Sequence, residues 1–482
     1  MLAIDASFPR KNSHALCRSQ GWLNPPIARA ANKKWSLGIP PSPAPTAGRG
    51  IISRKNFPAG PTAPLVRCAN CTPPHSTRAM RGRRQCCDMK PNRPADSRQA
   101  LQPRCLHGGG KHLVVLGAGG NIGSHLVPLL ARMPGVKRLT LVDCDCYEEK
   151  NLQSQDIRPS DIGQAKARLQ ARRARRINPK LEVVSIVDRL ENVPLGCLRG
   201  DIILACLDSK ESRRCANEIA WRLGVPWIDA GVEPSLMLAR VNVYLPAADQ
   251  PCLECAWSER DYAELATIHP CDGGGSKNPA TNSPACLGAL AAALQAIECQ
   301  RLLAGQSALI GRQVLIEAAT HRHFVTAFRR NPNCRFDHAT WKISSWCQTP
   351  RNLSIGAILK LARRSGASAA LAFGGQPLVK RLDCPGCGFT RRVFRLQRRL
   401  KHTDRVCDRC GREMLSAGFH MKTRLSNADL GPGDASRSLA SLGLQTGDVI
   451  SLGNGASEEF FELRPGPGPH PQRAKSIQRR DS

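Results

Sequence analysis

The stretch LVVLGAGGNIGSHL, residues 113 to 126, limits what this chain can fold into more than any other feature of it. A short apolar run reads as a buried strand, a glycine cluster interrupts it, and apolar residues then resume at helical spacing. Gly117, Gly119, Gly120 and Gly123 spell G-x-G-G-x-x-G at the turn. Glycines in such a turn let backbone N–H groups approach phosphate oxygens at a helix N-terminus. Asp143 follows Gly123 by twenty residues, the distance at which a carboxylate takes ribose hydroxyls. Both a dinucleotide and ATP satisfy these features. The dinucleotide fingerprint, however, puts its third glycine five residues after the first, where this chain has Ile122.

Beyond the loop, strand and helix signals alternate. HLVVLG, RLTLVD, LEVVSIV, DIILACLD, VPWIDAG and ARVNVYLP read as strands. NIGSHLVPLLARM reads as a helix with Pro128 near its first turn, and DIGQAKARLQARRARRIN as a long basic helix capped by Asp161. A further helix is expected over 209–223, and CLGALAAALQAIECQRLLAG as a buried helix. The pattern predicts an α/β fold with a doubly wound, Rossmann-like, mostly parallel sheet that binds ligands at the carboxyl ends of its strands. A cysteine-rich, zinc-binding excursion interrupts it, and a zinc ribbon and a small β-rich C-terminal domain follow.

The expected organisation is a basic, proline-rich arm over 1–110, a nucleotide-binding domain over 111–340, a linker helix region and ribbon over 341–415, a small β-rich end domain over 416–465 that loosely resembles a ubiquitin-like fold, and a tail over 466–482. The arm holds 18 Lys/Arg against 3 Asp/Glu and 15 of the 36 prolines, a composition that cannot build a core. It reads as disorder or an over-long start of the reading frame, with a nucleic-acid-binding, membrane-surface or organelle-targeting segment as alternatives. Asp5 and Arg10 interrupt the only apolar N-terminal stretch, and no run reaches the ~18 apolar residues of a membrane span. The 22 cysteines fall partly in Cys-x-x-Cys pairs within an α/β chain, which reads as metal binding in a reducing compartment. A cytoplasmic protein is expected.

The glycine loop has companions in a fixed order: VDCDCYEEKNLQSQDI, then DIGQAKA, INP and CLDSKESRRCAN. This series, over about residues 110 to 340, resembles the ThiF/MoeB/HesA and ubiquitin-activating enzyme superfamily. The resemblance implies an adenylyltransferase that uses Mg·ATP to activate the C-terminal glycine carboxylate of a ubiquitin-like or sulfur-carrier protein, working as a homodimer. By position it assigns the ribose to Asp143, the nucleotide site to Asn151 and Gln155, and phosphate to Lys166. It assigns Mg²⁺ near the α-phosphate to Asp208, and the loop behind it to Arg213. Attack of a carboxylate on the α-phosphorus builds negative charge that needs a metal and a cation. Taken singly, Lys166 also fits a solvated basic face and Asp208 a helix cap. Ser154 departs from the family, which has Arg there; Arg158 is the nearby substitute. The family's N-terminal helix and its Arg find no match in 1–110.

Cys252 and Cys255 in PCLEC stand at thiolate-ligand spacing. In the resembling family the other half of this zinc site follows an Arg-Asn-Pro segment. Here RRNPNCRFDH supplies Cys334, with Asp337 where a second cysteine is usual and His338 next to it to complete Cys₃His. Cys384, Cys387, Cys407 and Cys410 spell C-x₂-C-x₁₉-C-x₂-C, a structural zinc ribbon with no open position. The basic TRRVFRLQRRLKH between its pairs fits a charged hairpin better than a nucleic-acid surface, since stacking aromatics are scarce. Cys271, in a glycine-rich loop, matches a family position that takes the activated acyl group; Cys286 is the alternative, and a bystander thiol fits either. Cys206, Cys215 and Cys299 read as core.

Three further readings compete with activation of a carrier protein. They are activation of a carboxylate on a modified tRNA base, a zinc-stabilised scaffold without activity, and a nicotinamide oxidoreductase. The loop's glycine spacing and the lack of a hydride-transfer constellation disfavour the last.

Overall fold

A computed structural model of the chain describes residues 110–266, 283–306, 308–364, 370–454 and 457–465. The arm before residue 110, the tail from 466 and Cys271 lie outside the described residues. Everything described belongs to one compact unit, Pro94–Ser482.

Eight strands form the first sheet: β1 (Lys111–Leu116), β2 (Val136–Val142), β3 (Glu182–Ile186), β4 (Ile202–Ala205), β5 (Trp227–Glu233), β6 (Leu238–Tyr244), β7 (Arg312–Glu317) and β8 (Arg322–Ala327). Their order is β3-β2-β1-β4-β5-β6-β7-β8. The first five run parallel, and β6, β7 and β8 continue antiparallel. Helices cover both faces: α1 (Asn121–Ala131), α2 (Lys166–Ile177), α3 (Lys210–Leu223), α4 (Glu259–Ala266) and α5 (Ala285–Leu303). A central parallel strand must be apolar on both sides, which is why β1 lacks the alternation of a half-exposed strand. Leu113 and Val115 enter a core with α1, α2 and α5, while Val114 and Leu116 enter a second core with α3. By composition α5 is long and apolar enough to cross a membrane. Here it packs on the first core through Leu287, Ala291, Ala292 and Cys299, and its buried Gln295 donates to the carbonyls of Ala205 and Ile228.

Two helix expectations need correction. Pro128 is the eighth residue of α1, not part of its first turn, and the helix ends three residues beyond it. Proline removes the donor that would reach the Ser124 carbonyl; one turn on, the Arg132 guanidinium donates to the Pro128 carbonyl at 2.7 Å, one of the acceptors left open at the helix end. The basic helix begins at Lys166 rather than at Ile162. Asp161 instead accepts from the Arg158 amide at 3.0 Å and closes a separate 3₁₀ turn, and Gly163, at φ +83°, turns the chain before α2.

The C-terminal region is also organised differently from a ribbon followed by an end domain. Its five-stranded sheet has the order β14-β10-β15-β16-β9. The strands are β9 (Ile343–Trp346), β10 (Ala370–Ala372), β14 (Arg424–Leu425), β15 (Val449–Gly453) and β16 (Glu458–Leu463). A cut between 415 and 416 would separate paired strands, because β9 pairs in parallel with β16 and β10 pairs with β15. Helix α6 (Ile355–Arg364) buries Ile355, Ile358 and Leu359 in this domain's core. The ribbon is an insertion between β10 and β14, built on β11 (Leu378–Asp383), β12 (Thr390–Leu396) and β13 (Met421–Lys422).

The ribbon's arginines are engaged internally. Arg391 pairs with Asp408, Arg392 with Asp434 and Arg395 with Asp404, and Arg398 and Arg399 both face Asp448. The last pairing also joins the two halves of the molecule, because Arg398 donates to the Glu191 carbonyl at 3.1 Å. Nearby, the Gly196 amide donates to Gly447 O at 2.8 Å and Arg199 meets buried Glu462 at 3.1 Å.

Asp448 is 1% exposed, so replacing it leaves two poorly solvated guanidiniums without their acid. Asp448→Ala is expected to lower unfolding free energy by about 3 kcal/mol in chemical denaturation; a loss below about 1 kcal/mol would mean that solvent already screens the cluster.

Candidate active site

The chain leaves β1 for β2 on one side and returns from β3 to β4 on the other, so the carboxyl ends of β1 and β4 form the switch point where open α/β sheets bind ligands. The glycine loop lies there and is packed against its neighbours on three sides. Gly117 stands at φ +77°, and a Cβ on it would come 2.5 Å from the Cys206 carbonyl. A Cβ on Gly119 would come 2.3 Å from Lys166 Cβ and 2.7 Å from the Tyr147 hydroxyl. One on Gly123 would come 2.1 Å from Gly117 O, whereas one on Gly120 would meet nothing closer than 3.7 Å. The close approach of β1–α1, α2 and β4–α3 backbones therefore requires three of the four glycines.

Helix α1 starts at Gly120 with no side chain capping it. Its first-turn amides point to the switch point and suit an anion. Asp143, at the end of β2, accepts from the Gly119 amide at 2.8 Å and the Asp145 amide at 3.1 Å. Burial pushes its carboxyl up, against the pull of Lys166 and of these two amides. Lys166 opens α2, which is likewise uncapped by any side chain, and its ammonium lies 3.1 Å from Asp145 Oδ2. Asp145 is exposed, and its modest desolvation is outweighed by the pull of the Lys166 charge, which holds its carboxyl below the usual range. Sequence reasoning misses Asp145, because its place between Cys144 and Cys146 gives no signal that it faces Lys166.

Asn151 sits in a 3₁₀ turn, Glu149–Gln153, where its side-chain oxygen accepts from the Glu148 amide at 2.9 Å. Gln155 Oε1 and Asn121 Oδ1 are buried without a hydrogen-bond partner among the described residues. Such orphaned acceptors fit a site completed by a ligand with N–H or O–H groups. Asp208 is exposed, one residue after Leu207. It does not cap α3, because Ser209 does so, accepting from the Ser212 amide at 3.1 Å. Arg213 reaches back from α3 to the Leu207 carbonyl at 2.5 Å and to Asp229 at 3.1 Å, fixing the turn that presents Asp208. Arg158 is exposed in its own turn. The guanidinium that reaches the 154–158 segment is Arg173 of α2, bonded to the carbonyl and carboxylate of Asp156. Uncapped amides, a lysine, a buried acid and an exposed acid thus converge on one edge, and they fit a magnesium nucleotide.

Cys286 is the second residue of α5 and is exposed. The start of α5 abuts that of α1, with Asn121 donating to the Ser283 carbonyl at 2.8 Å. Cys215 and Cys299 are desolvated thiols pushed up to about 12, and burial raises Cys206 as well.

Two clusters could hold metal, and in each the four ligand atoms lie within 4.8 Å of one another. In the first, Cys252 Sγ is 3.8 Å from Cys255 Sγ and 3.7 Å from Cys334 Sγ, and Cys255 Sγ is 3.2 Å from His338 Nε2. Tetrahedral zinc with bonds of roughly 2.0–2.3 Å spaces its ligands about 3.3–3.8 Å apart, so these donors fit it. Asp337 is occupied elsewhere, by Arg222 at 2.6 Å, which is why His338 turns inward to face Trp221 at 4.8 Å. In the second cluster Cys384 and Cys410 are 3.4 Å apart and Cys387 and Cys407 3.6 Å apart, compatible with the same ion.

Residues 109–336 match the ThiF family. The chain is 26% identical over 157 residues to ubiquitin-like modifier-activating enzyme 5 of Dictyostelium discoideum, an alignment that covers 30% of this chain and 40% of that protein. It is 32% identical over 170 residues to the NEDD8-activating enzyme E1 catalytic subunit of Saccharomyces cerevisiae, covering 32% and 56%. It is 28% identical over 200 residues to the adenylyltransferase and sulfurtransferase UBA4 of Yarrowia lipolytica, covering 40% and 46%. The matched region therefore spans about half the length of these relatives.

The glycine geometry sets an order of tolerance. Gly123→Ala should cost about 1–3 kcal/mol through overpacking against the Gly117 carbonyl, while Gly120→Ala should stay within about 0.5 kcal/mol. Thermal unfolding of the two variants checks this, and equal losses would contradict the packing described.

Proposed function

Because residues 109–336 are a ThiF-family domain, we propose that this chain is an ATP-dependent adenylyltransferase acting on the C-terminal glycine carboxylate of a ubiquitin-like or sulfur-carrier protein. The convergence of the uncapped α1 N-terminus, Asp143, Lys166 and the Asp208 turn at one switch point carries the reading. The named relatives, two modifier-activating enzymes and an adenylyltransferase, support it.

In this reading Asp143 takes the ribose, Asn151 and Gln155 line the nucleotide, and the α1 amides with Lys166 take phosphate oxygens. Lys166 then exchanges its contact with Asp145 for phosphate. Asp208 would hold Mg²⁺, which when bound supplies positive charge at the phosphates. A carboxylate oxygen of the carrier forms a bond to the α-phosphorus, the bond to the bridging oxygen breaks, and pyrophosphate leaves with that electron pair. An acyl-adenylate remains. Transfer to a cysteine, Cys271 or Cys286, would follow by thiolate attack on the acyl carbon with AMP as leaving group. A homodimer belongs to the same proposal, and β8, the outermost strand of its sheet among the described residues, presents Phe324 and Val325 about half exposed. The two cysteine clusters hold structural zinc, each with four protein ligands and no open position.

ATP–pyrophosphate exchange in the presence of a glycine-tailed carrier is the test. Asp208→Ala should lower the exchange rate by about 10²–10³ with folding unchanged; NADH binding without ATP binding would overturn the reading. Metal analysis should find two zinc ions per chain, falling to one in Cys407→Ser; a metal-free folded chain would refute the zinc assignment.

A further inference from the structure

The first sheet contains a charged cluster that the assignments above leave unused. Asp229, on β5, is fully buried, at 0% exposed, and two guanidiniums share its carboxylate. Arg213 Nε donates to Oδ1 at 3.1 Å, and Arg240 Nη1, from the neighbouring strand β6, donates to Oδ2 at 2.8 Å. One acid between two arginines leaves a net charge of +1. Arg213 also donates from Nη2 to the Leu207 and Ala230 carbonyls. Arg240 makes one further bond, Nη1 to Asn242 Oδ1 at 2.9 Å, and its Nε and Nη2 have no hydrogen-bond partner among the described residues. Its side chain is 27% exposed.

The position of Arg240 is built into the sheet. Arg240 pairs with Gly231 in the β5–β6 register. A Cβ at 231 would lie 3.0 Å from both Nε and Nη2, so glycine there leaves the guanidinium room to lie flat against β5. Asn242 is in turn bonded to the Tyr244 hydroxyl at 3.2 Å, which orients the amide oxygen that Arg240 uses. The cluster is joined to the Asp208 turn by Arg213, so an unspent, preoriented cationic fork stands at the carboxyl end of β5, beside the turn that presents Asp208.

We propose that Arg240 is an anion-binding residue of this site, held in place by Asp229, Asn242 and the space at Gly231, and that its free Nε and Nη2 receive an oxyanion. A guanidinium edge with two parallel N–H groups suits a carboxylate or a phosphate in bidentate geometry. The two sources are the carboxylate of the acyl substrate and a phosphate of the nucleotide. This assignment rests on the adenylation reading for its biological setting, but its chemistry does not require turnover.

The test uses the full chain, with Arg240→Gln and Arg240→Lys compared with the unaltered protein. Asp229 keeps Arg213 as a partner, so both variants are expected to fold, with a lower melting temperature for Arg240→Gln than for Arg240→Lys, and binding is measured well below both transitions. Binding of inorganic tripolyphosphate and of N-acetyl-glycylglycine is measured by calorimetry. Arg240→Gln should weaken one of them at least tenfold, with partial recovery in Arg240→Lys. Loss confined to tripolyphosphate assigns the phosphate, and loss confined to the peptide assigns the acyl carboxylate. If the unaltered chain binds neither probe, or if Arg240→Gln changes both by less than twofold, the assignment is wrong. ATP–pyrophosphate exchange in parallel tests the wider reading separately, since its absence with intact, Arg240-dependent probe binding would remove adenylation and leave the anion site.

Discussion

The structure depends on the close approach of three backbone turns at the carboxyl ends of β1, β2 and β4. Gly117 lies against the Cys206 carbonyl, Gly119 against Lys166 and Tyr147, and Gly123 against Gly117 itself. Side chains at these positions would push the turns apart. With them apart, α1 could not present its first-turn amides beside Asp143 and Asp208. Packing density and ligand geometry are one constraint here, because the same missing Cβ atoms that let the turns pack also leave the amides accessible.

Charge is distributed around this edge in a consistent way. Lys166 is already neutralised by Asp145, and Arg213 by Asp229, so neither is a free cation before a ligand arrives. An anionic ligand must exchange with Asp145 rather than meet a bare ammonium, which lowers the net gain from that contact but keeps the lysine oriented. Among the described residues, Asp208 and the Nε–Nη2 edge of Arg240 are the exceptions, a carboxylate and a cationic edge without a side-chain partner to displace. The arginines of the ribbon are engaged within the molecule. In the ribbon, arginine ties β12 to Asp404, Asp408 and Asp434, and Arg398, just past β12, meets Asp448 and ties the C-terminal half to the nucleotide-binding half through the Glu191 carbonyl. A basic sequence there reflects fastening between elements more than a surface for polyanions.

The cysteine clusters fasten the molecule in a different way. The Cys252, Cys255, Cys334 and His338 cluster joins the segment after β6 to the segment after β8, next to Trp221 of α3. Its fourth ligand is hard to read from order alone, since Asp337 and His338 both offer donors. The Arg222 guanidinium decides between them by engaging Asp337.

Much of the site is legible in the chain because local chemistry specifies it. Strand-glycine-helix punctuation locates the β1–α1 turn, apolar runs locate the parallel strands, and Cys-x-x-Cys spacing locates the ribbon's cluster and half of the other, since each of these signals comes from residues a few positions apart; Cys334 and His338 follow from the family resemblance. Features that depend on distant neighbours are not legible in this way. Asp161 stands where a cap of α2 is expected but closes a turn of its own, because its carboxylate finds the Arg158 amide first. The end domain draws strands from 343–346 and 370–372 that a linear reading assigns to a linker, because strand pairing is not encoded in sequence distance. The Asp229, Arg213 and Arg240 cluster joins β5, α3 and β6, and only their packing shows that one acid serves two arginines. Local pattern sets which elements form and where the backbone can turn tightly. Which charges remain unspent is set by the fold, since it is the fold that brings partners together and removes water from between them.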